Sequence, residues 1–196
     1  GLLVLMSYWV RLELGKARNK TKEGNTDPHK GGPHNWDEAF AFYWGPEGKH
    51  SLYALAKDLE AKYNISNGGI NDAVFSALQS GIKTMLEQQQ EPLESAKQIQ
   101  KQLTRLFILA ALDAAKTMDD ASDDNEKQAA RWSGFGYWLA IGSQIAKASP
   151  EAEQVFKQIF LTAEDTQDAF STLKASVQSA LNGLEMSSAD FGTALE

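Results

Sequence analysis

The sequence contains no cysteine, only five prolines and only three histidines among its 196 residues. The absence of cysteine excludes disulfide bonds, cysteine-ligated zinc sites and thiol nucleophiles. It leaves the compartment open, because proteins without disulfides occur in every compartment. No nucleophile elbow, phosphate-binding loop or dinucleotide fingerprint is present either. We therefore expect a protein that is not an enzyme.

Positive charge is also scarce in this chain. It carries 19 Lys and Arg against 26 Asp and Glu, which gives a net charge of −7 at pH 7. This balance argues against nucleic acid and against an anionic membrane surface, because both need clustered basic residues. The opening segment GLLVLMSYWV is too short for a membrane span and lacks the basic region of a signal peptide. It is typical of the middle of a buried helix, so we expect further sequence upstream of Gly1.

Helical periodicity is abundant, whereas strand signals are poor. Apolar residues recur at helical spacing among Ala, Leu, Gln, Lys and Glu, and 42% of the residues are hydrophobic, enough for a core. The pattern predicts a single all-α domain over residues 1–196, a bundle of about eight helices. The first helix is apolar on every side as far as Arg11, which predicts a central position. The predicted helices lie at about 2–19, 35–44, 50–63, from 71 onward, 92–118, 124–147, from 149 onward and 162–182.

Local signals mark several of these helix ends. Ser149-Pro150 is an N-cap residue followed by a first-turn proline, and residues 162–165 resemble a capping box. The acidic segment DDASDDN, residues 119–125, is typical of a solvated acidic turn that also caps the helix after it. It lacks the spacing and the glycine of a calcium loop.

Two helix pairs resemble each other, which suggests a duplicated unit. YWVRLELGKA at 8–17 can be aligned with FILAALDAAK at 107–116, a shift of about one hundred residues that puts Glu13 opposite Asp113. EAFAFYWG at 38–45 aligns with SGFGYWLA at 133–140. In both copies a long apolar helix with one acid precedes an aromatic helix. Glu38 of the first copy corresponds to Ser133 of the second, so one carboxylate is missing from the second copy.

The segment PHNWDEAFAFYWGPEG, residues 33–48, places acids and aromatic rings on one short helix. His34, Asp37 and Glu38 fall at i, i+3 and i+4 and so share a face, while Glu13 lies in the apolar helix before them. A buried carboxylate is costly unless it is paired or bound to a cation. Imidazole and carboxylates, with Tyr8 or Tyr43 as a phenolate, suit Fe(III), Mn or another hard cation.

A purely structural interpretation of the same segment stays open. Asp37 and Glu38 would then occupy the first turn of their helix, where acids interact favourably with the helix dipole. His34 would be a cap or loop residue. The aromatic residues at 36, 40, 42, 43 and 44 would belong to the core.

The stretch HNWDEAFAFYWG resembles the HNWDE-aromatic motif of the algal iron-assimilation proteins, also called low-iron-inducible proteins, which include the phytotransferrins. LMSYWVRLEL before it and GYWLAIGSQIAKASPEA after it support the resemblance, which covers roughly residues 2–160. Bacterial imelysin-like proteins are similar more loosely. The resemblance implies an α-helical protein that captures ferric iron with a carbonate anion. It implies an extracytoplasmic location, in the periplasmic space or at the cell surface, with an organelle lumen as the alternative.

The resemblance also implies a set of metal ligands. Glu13, His34, Asp37 and Glu38 match its acidic and motif positions, and Tyr43 falls in its aromatic tail. This chain departs from the pattern at Ser133, where the resemblance leads us to expect a glutamate. Two functions therefore stay open: ferric iron binding for uptake, and a structural or accessory subunit of a larger protein complex that kept the fold but lost or weakened the metal site. An imelysin-like peptidase is a distant third.

Overall fold

The protein is all-α in a computed structural model that describes residues 1–65, 68–162 and 168–196. This part of the chain contains eight α-helices and no β-strand, which confirms the predicted fold class and number of helices. Two short 3-10 segments, Pro46–Gly48 and Ser188–Ala194, accompany them. The helices are α1 Leu2–Lys22, α2 Gly32–Trp44, α3 Leu52–Lys62, α4 Ile70–Glu87, α5 Leu93–Asp120, α6 Asp124–Ala148, α7 Pro150–Phe160 and α8 Ala169–Ala180.

Helix α2 begins three residues earlier than the sequence pattern predicts. It starts at Gly32 because Pro33 occupies the first turn, where its missing N–H leaves no donor unpaired. His34 therefore lies inside the helix and is not its cap, and the first turn contains no acid. The interpretation of Asp37 and Glu38 as first-turn acids is wrong for this reason.

The predicted caps at two other helices are present. The Ser149 hydroxyl accepts from the Ala152 N–H at the start of α7, and the Asp123 carboxylate accepts from Asn125 and Glu126 N–H at the start of α6. Asp119 lies in the last turn of α5 and not in the predicted turn, and its exposed carboxylate accepts from two N–H groups at the start of α8, those of Ala169 at 2.9 Å and Phe170 at 2.8 Å. The proposed capping-box residues 163–165 lie outside the described residues.

The chain divides into two compact units, each built from segments that are separate in sequence. The N-terminal unit comprises residues 2–58 and 67–103, and the C-terminal unit comprises residue 1, residues 59–66 and residues 104–196. The prediction of one domain over the whole chain stays a prediction.

In the N-terminal unit, α2 packs against α1 on one side and against α4 on another. Val10 and Leu14 of α1 and Trp36 and Tyr43 of α2 are almost completely buried. The Trp36 indole N–H donates to the carbonyl oxygen of Leu78 on α4 at 2.9 Å. Because α2 lies between α1 and α4, some of its side chains contact α1 and others contact α4.

One side of α1 is exposed, contrary to the prediction that this helix is central. Leu2, Leu5 and Tyr8 are 63%, 52% and 58% exposed, while Met6, Val10 and Leu14 are buried. The uniform apolar composition of the segment hides this difference between its sides. No helix within the described residues is both long enough and apolar enough to cross a membrane.

In the C-terminal unit, residues 104–112 of α5 are all buried, and α7 packs against both α6 and α8. The final segment is held by Arg105, whose Nε donates to the Asp190 carbonyl oxygen at 2.6 Å, and by the Thr193 N–H, which donates to the Tyr63 carbonyl oxygen at 2.9 Å. Phe191 between these two contacts is fully buried. The last residues of the chain are therefore an integral part of this unit.

Candidate metal site

An acidic pair from α1 and α2 shares a single amide donor inside the N-terminal unit. The Asn35 side-chain Nδ2 donates to Glu13 Oε2 at 2.6 Å and to Glu38 Oε2 at 2.9 Å. Glu13 lies on α1, and Asn35 and Glu38 lie one turn apart on α2. The packing of these two helices brings together two carboxylates that are 25 residues apart in the sequence.

Glu13 is the buried member of the pair, with only 3% of its surface exposed. Burial by itself would raise the pKa of its carboxyl, but hydrogen bonds from Lys16 and Asn35 outweigh this effect, and the net pKa is below its usual value. The Lys16 ammonium lies 2.7 Å from Glu13 Oε1, and this hydrogen bond raises the pKa of Lys16. Glu13 is therefore ionised at neutral pH.

His34 stands at the outer edge of the acidic pair. Its Nε2 lies 3.6 Å from Glu38 Oε1, and the two side chains are 45% and 42% exposed. Protonation of the imidazole would make this contact an ion pair, whereas a neutral imidazole presents a nitrogen lone pair for a metal. The i to i+4 spacing of these residues in α2 produces the contact.

The structure does not bring Asp37 and Tyr43 to this place. Asp37 is exposed and lines a cavity between α2 and α4. Tyr43 is buried, and its hydroxyl donates to Asn71 Oδ1 at 2.7 Å. Of the five predicted ligands, Glu13 and Glu38 therefore share the Asn35 donor and His34 lies beside Glu38, and the roles of all five stay predictions.

Within the described residues, no three His, Asp or Glu side chains are arranged to hold a metal ion. The amide that joins the two acids nevertheless carries an unpaired acceptor, because Asn35 Oδ1 is buried without a hydrogen-bond partner. A buried amide oxygen without a partner is costly, and such atoms call for an explanation. The side chain that donates to both carboxylates therefore also has an oxygen that is free to accept.

Sequence reasoning missed both Asn35 and Lys16. Asn35 was hidden by its neighbours in the motif, although its i to i+3 spacing from Glu38 indicates that the two side chains meet on a helix. Lys16 has the same spacing from Glu13, and the resulting ion pair was readable from the sequence. The contact between Asn35 and Glu13 could not be predicted from the sequence, because it depends on how α1 and α2 pack.

The acid that the sequence repeat aligns with Glu13 has different surroundings. Asp113 on α5 accepts from the Tyr63 hydroxyl at 2.7 Å and from the Lys62 ammonium at 2.5 Å. Burial raises the pKa of Tyr63, and the hydrogen bond to Asp113 raises it further. Ser133 is exposed, and its hydroxyl donates to the Ala129 carbonyl oxygen of its own helix. The C-terminal unit thus pairs this carboxylate with a cation and a phenol, and the α6 residue that aligns with Glu38 is a serine.

These features describe an all-α protein in which two adjacent helices hold a pair of acids around one amide. The chain belongs to the family of low iron-inducible periplasmic proteins (Fea1), whose profile matches residues 3–134. The match covers two-thirds of the chain and includes α1, α2 and the acidic pair. It confirms the predicted membership of the low-iron-inducible family. No curated protein and no solved structure matches the chain.

Proposed function

We propose that this protein captures ferric iron outside the cytoplasm for iron uptake, without catalysing a reaction. The observation that carries the proposal is that one amide nitrogen lies within 3 Å of a carboxylate oxygen from each of two helices. The two acids are thus close enough for a single cation to contact both. The family, described as low iron-inducible and periplasmic, supports both the cargo and the location.

The donor set fits a hard cation. Glu13 and Glu38 offer carboxylate oxygens, Asn35 offers the buried oxygen that has no hydrogen-bond partner, and His34 offers an imidazole nitrogen. Oxygen-rich sets of this kind favour Fe(III) and other hard ions over soft ones. With a cation bound, the Asn35 amide would rotate so that its oxygen faces the metal. The cation would then replace the amide nitrogen as the common partner of the two carboxylates. We therefore add Asn35 to the proposed ligands, and we leave Asp37 and Tyr43 outside the set.

A carbonate anion alongside the metal is part of this proposal. Ferric iron and the Lys16 ammonium together carry four positive charges, and the acidic pair supplies two negative ones, so a carbonate dianion would balance the remaining two. Lys16 is 45% exposed beside Glu13 and is the side chain that we expect to contact the anion. If carbonate takes part, the affinity of the protein for Fe(III) should increase when bicarbonate is added.

Metal titration of the purified protein tests this function. We expect about one equivalent of Fe(III), supplied as a weak chelate to keep it soluble, to bind saturably, and to bind more tightly when bicarbonate is present. Glu38→Gln should weaken binding by roughly tenfold or more, because it removes one of two charged ligands. Asp37→Asn is the matched control, since it changes the adjacent acid on α2 and should leave iron binding unchanged. Absence of saturable binding, or equal losses in both variants, would refute the proposed site.

A second candidate function, a structural or accessory subunit, is favoured by one observation. The exposed side of α1 carries Leu2, Leu5 and Tyr8, and large apolar side chains in contact with water are common where another protein binds. Purification from native material distinguishes the two functions. The accessory-subunit hypothesis predicts that the wild type is recovered with a protein partner that Leu5→Glu loses, whereas a stable monomer without a partner that binds iron supports the first proposal alone.

A further inference from the structure

A cavity of about 370 Å³ lies between α2 and α4, entirely within the N-terminal unit. Trp36, Phe40 and Trp44 of α2 and Phe75 of α4 line it with aromatic rings, and aliphatic side chains of α4 complete the wall. Its size is in the range of pockets that hold small molecules. The acidic pair lies where α2 meets α1, so this cavity is a separate feature of the same helix.

The aromatic rings form a connected cluster along one side of the cavity. The ring centroids of Phe40 and Phe75 are 6.1 Å apart, those of Trp44 and Phe75 are 5.8 Å apart, and those of Phe40 and Trp44 are 6.1 Å apart. Phe40 is 36% exposed, so part of this aromatic surface is open to a ligand from solvent. The faces of such rings carry partial negative charge and attract cations.

Two polar side chains in the cavity lack partners. Within the described part of the chain, neither the carboxylate of Asp37 nor the amide of Gln79 forms a hydrogen bond or an ion pair. Among the residues that the structure describes, no Lys, Arg or His lines the cavity, so no basic side chain of this wall neutralises Asp37. A single negative charge beside four aromatic rings is complementary to a ligand that is both cationic and apolar.

We propose that this cavity binds an organic ammonium ion, a cation whose charge is surrounded by methyl or methylene groups. Phe40, Trp44 and Phe75 contact the alkylated ammonium through their ring faces, Asp37 supplies the counter-charge, and Gln79 hydrogen-bonds a hydroxyl or carbonyl group of the ligand. A metal ion does not fit, because a single carboxylate and one amide give too few ligands. An uncharged apolar ligand would leave the negative charge of the Asp37 carboxylate without a counter-charge.

A pair of probes of the same shape and different charge tests this proposal directly. Choline carries a trimethylammonium group, and 3,3-dimethylbutan-1-ol replaces it with an uncharged tert-butyl group. Titration followed by NMR should show choline binding at least roughly fivefold more tightly, with its methyl signal shifted upfield by the aromatic rings. Equal affinities for the two probes, or no binding of choline at millimolar concentrations, would overturn the proposal.

Variants assign the binding to this cavity. Asp37→Asn should weaken choline binding by about fivefold and leave the neutral alcohol unaffected, and Glu38→Gln, on the adjacent residue outside the cavity, should change neither. Phe40→Leu should weaken choline binding more than alcohol binding, and because Phe40 is partly exposed the variant should fold. If Asp37→Asn and Glu38→Gln have equal effects, the charge of Asp37 is not the determinant and the proposal fails. The iron titration responds to the same two substitutions in the opposite way, so the two proposals fail independently.

Discussion

Asn35 is the residue on which the acidic pair of this protein depends. Its amide nitrogen donates to both the Glu13 and the Glu38 carboxylates, while the Lys16 ammonium donates to the other oxygen of Glu13. A glutamate with 3% exposure is tolerated on α1 because these donors replace the water that it has lost. The same contacts make its carboxyl a stronger acid, which has a measurable consequence for stability.

Glu13 should make the free energy of unfolding depend on pH in the acidic range. Its pKa in the folded protein is below the usual 4.5, so near that pH the unfolded chain binds more protons than the folded one. The stability due to the carboxylate is therefore present above about pH 5 and is lost as the pH falls through the folded-state value. Glu13→Gln should lower the free energy of unfolding by about 1–2 kcal/mol at pH 7, and by progressively less toward pH 3.

Urea denaturation of the wild type and of Glu13→Gln at several pH values between 3 and 7 measures this difference. Glu94→Gln is the control, because the Glu94 side chain is 78% exposed and pairs with the surface residue Lys97. It should change the free energy of unfolding by less than about 0.5 kcal/mol at pH 7. A Glu13→Gln effect of the same size at pH 3 and pH 7 would contradict the argument.

Among the helices, α2 carries the two candidate sites. Glu38 lies toward α1, and Asp37, the adjacent residue, lies toward α4, because neighbouring residues on a helix are about 100° apart. Helical spacing alone allowed Asp37 to share a face with His34. The packing of α2 between α1 and α4 gives the two acids different neighbours and hence different proposed ligands.

The close approach of α2 to α4 should make Gly81 intolerant of a side chain. A Cβ atom at this position would lie 2.1 Å from Cζ2 of Trp36, whose indole is fixed by its hydrogen bond to Leu78. Gly81→Ala should therefore lower the free energy of unfolding by about 1–3 kcal/mol through overpacking. Thermal and urea denaturation measure the loss.

Gly15→Ala is the matched control, since Gly15 is also inside a helix but the added methyl group would have no atom within 4 Å beyond its own stretch of helix. It should raise the free energy of unfolding by about 0.5–1 kcal/mol, because alanine is the better helix former. An increase of the free energy of unfolding in both variants would show that helix propensity, and not the contact with Trp36, governs Gly81.

At the scale of the whole molecule, the order of segments along the chain differs from their grouping in space. Residues 59–66 belong to the C-terminal unit, although the segments on both sides of them belong to the N-terminal unit. Tyr63 in this segment contacts α5 through its hydroxyl and the end of the chain through its carbonyl. The family profile covers the segment but ends at residue 134, before the final residues that hold it.

Removal of residues 187–196 should loosen residues 59–65. The truncation deletes Phe191, which is fully buried, together with the Thr193 N–H donor to Tyr63. Loss of the phenylalanine alone should cost about 3–5 kcal/mol of unfolding free energy in the C-terminal unit. Hydrogen exchange read by mass spectrometry on a peptide covering residues 59–65 measures the local effect.

Removal of Glu196 alone is the control, because this residue is exposed. It should leave the exchange of residues 59–65 and the unfolding free energy within about 0.5 kcal/mol of the wild type. Unchanged protection of this segment in the longer truncation would show that its order does not depend on the end of the chain.

The sequence by itself determined that the protein is all-α with about eight helices, because apolar periodicity, caps and glycine or proline breaks are local signals. The HNWDE-aromatic segment also indicated the family and the helix that carries the candidate site. Only the tertiary structure decided that Asn35 joins Glu13 to Glu38, that Asp37 and Tyr43 lie elsewhere, and that one side of α1 is exposed. Each of these depends on how one helix is rotated against another, and that rotation is fixed by packing between residues far apart in the chain.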